Sequence, residues 1–173
     1  MRQNNSFLPD NYETPKGKSN YMKFEQGDNR FRILSSPIVG WEDWDNKTPV
    51  RFAVDNKPEP INPDRAVKFF WAMIVFNYFA NEIQVLQITQ KGIMGAIEKL
   101  AKDEDWGSPS GYDIKVTRKG EGMDTEYTVN PVPHKPLSAD VIQAFNDKPV
   151  YLNALYVGED PFKQGNKKTN LLD

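Results

Sequence analysis

The chain has 173 residues, of which 38% are hydrophobic and 27% are charged, and its formal net charge is −2. This length supports one domain with its own core, and thirteen Pro with eleven Gly favour an all-β or α+β fold. The absence of cysteine excludes disulfides, thiolate nucleophiles and zinc–thiolate sites. No apolar run reaches the ~20 residues of a membrane span, and the start lacks the apolar middle of a signal peptide, so we expect a cytoplasmic protein without membrane contact.

Composition divides the chain into three parts. Residues 1–20 are rich in Asn, Ser, Pro and Lys and show little periodicity, which predicts a flexible N-terminal arm. Residues 21–155 carry the periodic patterns and form the predicted domain. Residues 156–173 are polar again, which predicts a mobile C-terminal tail.

The first predicted strand begins with the sequence RFRI. Its alternation places Arg30 and Arg32 on one face and the apolar residues between and after them on the other. Pro37 and Gly40 are expected to bend the strand, as a barrel requires. Residues 45–65 are rich in Pro, Asn and Asp and predict a long loop, with VRFAV as a short strand inside it.

The sequence VKFFWAMIVFNY, Val67 to Tyr78, predicts a central strand because it is rich in β-branched and aromatic residues. After a turn, Ile83 to Thr89 predicts the returning strand of a hairpin. Both faces of the central strand are apolar. One face must fill a core, and the other either packs beneath further segments of the chain or stacks on a ligand. Trp71 and Tyr78 are the ligand-facing candidates.

The second half of the domain alternates helices and strands. Residues 90–107 show apolar positions three and four apart and predict an amphipathic helix. Residues 111–120 and 125–132 predict two paired strands. Residues 137–145 predict a short second helix with Ser138 as its N-cap.

The order of these elements is three strands, a helix and two strands. This order predicts an all-β fold with one or two helices. It is the order of the five-stranded Greek-key barrel that binds oligonucleotides or oligosaccharides, in which a helix lies between strands three and four. In that barrel the ligand usually lies across strands two and three and the loops beside them. Strand two here is the aromatic segment.

Catalytic chemistry has little support in the sequence. The single histidine, His134, lies between prolines and is expected to be a loop side chain, and no phosphate-binding loop occurs. The carboxylates of Glu42, Asp43 and Asp45 lie close together in the sequence and could bind Mg²⁺, so a magnesium-dependent nuclease is one alternative. A polar loop is the simpler interpretation. We therefore predict a protein that is not an enzyme, with no cofactor and no metal.

Binding features are stronger. Single-stranded nucleic acid is held by basic grooves that track phosphates and by aromatic rings that stack on bases, and the predicted strands and loops interleave both residue types. The candidate contacts are Arg30, Arg32, Trp41, Trp44, Arg51, Lys68, Phe70, Trp71, Phe76, Tyr78, Lys91, Lys115, Arg118 and Lys119. A protein–protein adaptor or virion component on the same barrel is the other alternative.

Three blocks of the sequence resemble the single-stranded DNA-binding proteins of tailed bacteriophages and prophages. They are NRFRILSSPIVGWEDW, KFFWAMIVFNYFANEIQVLQITQK and AIEKLAKDEDWGSPSGYDIKVTRKGEGMDTEYTVNPVP. The resemblance implies the same barrel and sequence-tolerant binding of single-stranded DNA in phage replication, recombination and repair, without catalysis, in the cytoplasm of a bacterial host. It implies replication or recombination enzymes as partners and self-association along DNA. Carried over to this chain, the contact set is Arg30, Arg32, Trp41, Trp44, Trp71, Tyr78, Lys115 and Arg118.

Two features depart from that family. Many members end in an acidic tail that recruits partner enzymes, whereas the end of this chain carries Lys163, Lys167 and Lys168. Some relatives hold zinc through His and Cys, which this chain cannot do. The segment KGKS, residues 16–19, faintly resembles a basic segment that promotes contacts between neighbouring copies in some relatives, but a flexible basic arm is the simpler interpretation.

Overall fold

The computed structural model describes residues 7–8 and 19–173. Most of the arm predicted for residues 1–20 therefore lies outside the described residues. The described part contains seven strands and two α helices. They are β1 (Gly27–Ile33), β2 (Ile38–Asp45), β3 (Thr48–Ala53), β4 (Lys68–Asn77), β5 (Glu82–Ile88), α1 (Lys91–Ala101), β6 (Ile114–Lys119), β7 (Glu126–Pro131) and α2 (Ala139–Asp147).

The strands form one antiparallel sheet in the order β3-β2-β4-β1-β6-β7, and β5 pairs with β4. The fold is thus mostly β with two helices, as predicted. Seven strands replace the expected five for two reasons. The first strand is interrupted between Ile33 and Ile38, so that β1 and β2 pair with different parts of β4, and the predicted short strand forms a hairpin with β2.

The strands do not close a barrel through a β5–β7 ladder among the residues that the structure describes. Instead, the segment before β1 occupies the free edge of β5. The amide of Met22 donates to Val85 O at 2.9 Å, and the amide of Val85 donates to Asn20 O at 2.9 Å. Further along, Phe24 packs against Tyr127 of β7, with ring centroids 5.9 Å apart. The chain between residues 20 and 24 therefore contacts both strands.

Strand β4 contributes to a core on each of its faces. On the inner face, Met73 and Val75 pack with the buried residues of α1. On the outer face, Phe70 and Ile74 pack with α2 and with the 3₁₀ segment Leu152–Val157. This answers the question that the strand's composition raised, because the second apolar face lies beneath other segments of the same chain.

Both predicted helices are confirmed. Helix α1 buries Ile93, Met94 and Ile97 against the sheet, and its exposed side carries a Glu98–Lys102 ion pair at 2.6 Å. An i, i+4 pair of this kind stabilises a helix by about 0.3–0.5 kcal/mol, so burial of the apolar face dominates. Helix α2 begins after Ser138, whose Oγ accepts a hydrogen bond from the amide of Val141 at 3.2 Å.

The segment expected to be a mobile tail lies against the fold. The amide of Leu172 donates to Leu34 O at 2.7 Å, and the amide of Thr169 donates to Val150 O at 2.6 Å. The side chains of Leu171 and Leu172 pack against the outer and inner cores respectively. The two leucines thus anchor a segment whose average composition is polar. The prediction of a mobile tail was based on that average and is wrong.

Candidate nucleic-acid interface

A groove of about 880 Å³ lies between the loop that precedes β4 and the first turn of α1. Its wall contains three aromatic residues from neighbouring strands, Trp41 of β2 and Phe69 with Trp71 of β4. Strand register places Trp41 directly opposite Phe69, and their rings meet edge to face with centroids 5.1 Å apart. All three side chains are half-buried, so each retains exposed aromatic surface. We call this surface the aromatic groove.

Three lysines line the aromatic groove together with the aromatic rings. Lys57 comes from the loop before β4, Lys68 begins β4 and Lys91 begins α1. The first turn of α1 also lines this groove, and its N-cap residue, Gln90, makes no side-chain capping bond to the backbone N–H groups there. The positive end of an eleven-residue helix and nearby ammonium groups favour an anionic ligand here.

The position of Trp41 is fixed by two contacts in addition to Phe69. Its Nε1 donates to Val54 O at 3.0 Å, and the ammonium of Lys57 lies 4.5 Å from the indole centroid. The indole is therefore oriented before any ligand arrives, which lowers the entropic cost of stacking a base on it.

Trp71 separates the aromatic groove from an apolar cavity of about 390 Å³ beneath α1. The cavity is lined by Met73 and Ile97 of the inner core, and Leu172 of the C-terminal segment reaches it. One part of the indole thus belongs to the core, while the groove exposes another part. Trp71 is both a structural residue and a candidate contact.

The carboxylates of β2 do not converge on a metal site. Asp43 is buried and holds the loop before β4, since its Oδ2 accepts from the amide of Ile61 at 2.8 Å. Glu42 is also buried, and its Oε2 lies 3.5 Å from Arg51 Nε. Among the described residues no group of three or more His, Cys, Asp and Glu side chains could hold a metal ion. Glu42 and Asp43 therefore organise the loop and sheet.

Phe70, Phe76 and Arg51 are candidate contacts that the structure places in the outer core or in an internal ion pair with Glu42. Phe70 is fully buried and Phe76 almost so, which leaves neither ring free to stack on a base. Arg51 donates to Gln87 Oε1 at 3.0 Å, pairs with Glu42 and lies 5.9 Å from the Phe70 centroid. These three assignments to DNA contact are corrected. Parity alone could not show that α2 covers Phe70 and Phe76 on the outer face of β4, and the partners of Arg51 lie on other strands.

A second group of candidates surrounds the buried carboxylate of Asp113 at the other end of β4. Arg30 Nη2 lies 2.7 Å from Asp113 Oδ2, Arg32 Nη1 lies 3.1 Å from Oδ1, and the Tyr78 hydroxyl donates to Oδ1 at 2.8 Å. Burial, followed by this hydrogen bond, raises the pKa of Tyr78 to about 12. Arg32 is 1% exposed and also donates to Ser110 O at 2.8 Å, so its assignment as a DNA contact is corrected to a structural one.

The remaining candidates are distributed over the rest of the sheet. Trp44 lines a separate groove of about 430 Å³, which it shares with Lys68. Lys115 lies 3.9 Å from Asp28, Arg118 Nη1 donates to Phe24 O at 2.9 Å, and Lys119 is exposed at the end of β6. None of these last three lines the aromatic groove.

The structure therefore brings together four of the predicted residues in one groove: Trp41, Lys68, Trp71 and Lys91. Phe69 and Lys57 also line this groove and were not among the contacts predicted from the sequence. Phe69 could have been found, because residues two apart on a strand share a face and Trp71 was already a candidate. Lys57 lies in an irregular loop and had no periodic signal.

Comparison with protein-family models, with curated proteins and with solved structures gives no match for this chain. The likeness to phage single-stranded DNA-binding proteins thus remains an expectation from three sequence blocks. Within the described part of the chain, no helix has the length and apolar character needed to cross a membrane.

Proposed function

We propose that this chain is a non-enzymatic, sequence-tolerant single-stranded DNA-binding protein. The observation that carries the proposal is the aromatic groove, in which Trp41, Phe69 and Trp71 lie beside Lys57 and Lys91. Aromatic platforms interleaved with cations bind unpaired bases and phosphates without reading base edges. Each stacked base contributes about 1–3 kcal/mol, and this contribution depends little on base identity.

The fold is consistent with a barrel of the oligonucleotide-binding type, which we propose as its architecture. If β1 and β2 are taken as one bent strand, then β4, β5, β6 and β7 follow in the expected order with α1 after the third strand. The segment at residues 20–24 would complete the wall between β5 and β7.

The proposed site is shifted from the usual one. In this chain α2 and the C-terminal segment cover the outer face of β4 and β5, so that face cannot receive a nucleic acid without exposing a core. The aromatic groove lies instead beside the loop between β3 and β4, which corresponds to the long loop after the first barrel strand. Loops at that position are part of the usual binding surface of such barrels.

In the proposed biological role, the protein protects and presents single strands during phage replication, recombination and repair in a bacterial cytoplasm. Partner enzymes and self-association along DNA belong to the same proposal and come from the sequence resemblance. The alternative of a protein–protein adaptor needs a free aromatic face on β4 that a second protein can cover. The outer face of β4 is instead covered by other segments of the same chain. The nuclease alternative has no favourable observation, since Glu42 and Asp43 are engaged in separate contacts.

The test is a titration of the protein with labelled oligo-dT and with a duplex of equal length, at two salt concentrations. We expect tighter binding of the single strand, with quenching of tryptophan fluorescence as bases stack. If Lys57, Lys68 and Lys91 each neutralise one phosphate, the log–log salt slope should be about −2. Equal binding of single strand and duplex, or affinity independent of salt, would refute the proposal.

A further inference from the structure

The hairpin between β4 and β5 ends in a solvent-exposed aromatic ring. Phe79 is 97% exposed at the tip, although full burial of such a side chain would contribute about 1.5–3 kcal/mol. The tip is held in place, because the Phe79 amide donates to Asn77 Oδ1 at 3.1 Å and Asn81 takes the left-handed conformation that ends the turn. The turn therefore presents a ring that is almost fully exposed among the described residues and is available to stack on a ligand.

Cations lie directly beside this tip. Arg30 of β1 lies next to Tyr78, the residue before Phe79. The Tyr78 amide donates to Arg30 O at 3.3 Å, and the guanidinium lies 5.4 Å from the Tyr78 ring centroid. Its side chain remains 45% exposed despite the ion pair with Asp113. Lys115 faces Arg30 across the β1–β6 ladder and is 41% exposed.

The sheet around these cations is open to solvent. On β7 the alternate residues Glu126, Thr128 and Asn130 are exposed, while Tyr127 and Val129 pack against the inner core. Neither α1 nor α2 contributes a residue to this outer surface, since both helices pack on the two cores. Among the described residues this surface is therefore polar and accessible, and the exposed ring of Phe79 lies at its border.

We infer that the β4–β5 tip is a second stacking site for the same single strand, with Phe79 as the stacking residue and Arg30 and Lys115 as phosphate contacts. This inference rests on the proposed function. It extends the contact surface from the aromatic groove to the opposite end of β4.

The separation of the two sites makes the inference testable. Phe69 and Phe79 are ten positions apart along β4 and its turn, which corresponds to about 30 Å at strand spacing. A single strand at stacked spacing, about 3.4 Å per nucleotide, needs about nine nucleotides to cover that distance. An oligonucleotide of about four nucleotides covers at most about 20 Å even at twice that spacing.

The experiment compares wild-type protein with Phe79→Ala on oligo-dT of about 4 and about 16 nucleotides, the range of site sizes for such barrels. We expect unchanged affinity for the short oligonucleotide and an affinity loss of about 5- to 150-fold for the long one, equivalent to one stacked base. Met123→Ala is the matched control, because Met123 is fully exposed at the β6–β7 turn but carries no aromatic ring. Both variants should retain the wild-type melting temperature, since neither side chain is buried.

The other outcomes separate this inference from the proposed function. If Trp41→Ala weakens both oligonucleotides and Phe79→Ala weakens neither, the aromatic groove stands and the second site is refuted. An equal loss at both lengths also refutes it. If Phe79→Ala leaves the affinity for the 16-nucleotide strand intact but abolishes cooperative binding to a long polymer, the tip docks a second copy instead. Absence of DNA binding by the wild type refutes both proposals.

Discussion

The ammonium of Lys57 lies over the ring of Trp41, 4.5 Å from its centroid. A cation–π contact at an exposed site is worth about 0.5–1 kcal/mol, whereas a base stacked on an indole contributes about 1–3 kcal/mol. A base can therefore displace the lysine from the ring with a net gain. The displaced ammonium remains beside the strand, where a phosphate can accept from it.

This exchange predicts a specific effect of removing the cation. Lys57→Ala should reduce the magnitude of the log–log salt slope of oligo-dT binding by about 0.7, the value for one phosphate contact on a single strand. Tryptophan quenching at saturation should be unchanged, because Trp41 can still stack. Lys163→Ala, which removes an exposed lysine of the C-terminal segment, is the control and should leave the slope unchanged. An unchanged slope in the Lys57 variant would show that this ammonium contacts no phosphate.

The aromatic wall yields a second prediction. Trp41→Ala should weaken oligo-dT binding by about 5- to 150-fold, the cost of one lost stacking platform, as measured by fluorescence anisotropy. Trp44→Ala is a matched control, because Trp44 is also a half-buried tryptophan of β2 but lines the separate groove. An equal loss in both variants would contradict the assignment to the aromatic groove. A loss in the Trp44 variant alone would move the site to that second groove.

The cluster around Asp113 predicts an effect on stability. Asp113→Asn removes the charge that pairs with Arg32, whose guanidinium is buried, and breaking one partner of a buried pair typically costs about 3–5 kcal/mol. Urea denaturation should reveal this loss in the free energy of unfolding. Glu98→Gln breaks an exposed helical pair and should cost at most about 0.5 kcal/mol. Similar losses in both variants would mean that the Asp113 cluster contributes little.

Local patterns in the sequence predicted the elements well. Alternation gave the buried faces of two strands, with Phe31 and Ile33 on β1 and Ile114 and Val116 on β6 all in the inner core. The amphipathic helix was also visible, because three- and four-residue spacing is a local property. These features depend on neighbours in the chain, which a single sequence contains.

The errors concern contacts between distant positions. Arg32 was expected to contact DNA, but its partner Asp113 is 81 residues away and periodicity cannot reveal that pairing. Phe70 was expected to meet a ligand, but α2 and a later segment bury it. The alternation of β1 placed Arg32 on the correct face, whereas the two apolar faces of β4 could not be told apart from the sequence. In both cases tertiary packing determined what covers the side chain.

Tyr78 provides a prediction for alkaline pH. Burial and the hydrogen bond to Asp113 raise its pKa to about 12 from an ordinary value of about 10. Because the folded protein favours the protonated phenol, this contribution to stability is fully present below about pH 10 and is lost as the pH rises through about 12. The free energy of unfolding of the wild type should therefore fall more steeply in that range than that of Tyr78→Phe.

Two measurements check this pH dependence. Urea denaturation at about pH 9 and about pH 11 should show a difference between wild type and Tyr78→Phe that narrows at the higher pH. Ultraviolet titration of tyrosinate should lose one late-titrating group in the variant. Tyr112 and Tyr156, whose pKa values burial also raises, remain in both proteins and serve as an internal reference. A difference in stability that is constant with pH would mean that the phenol titrates alike in the folded and unfolded chains.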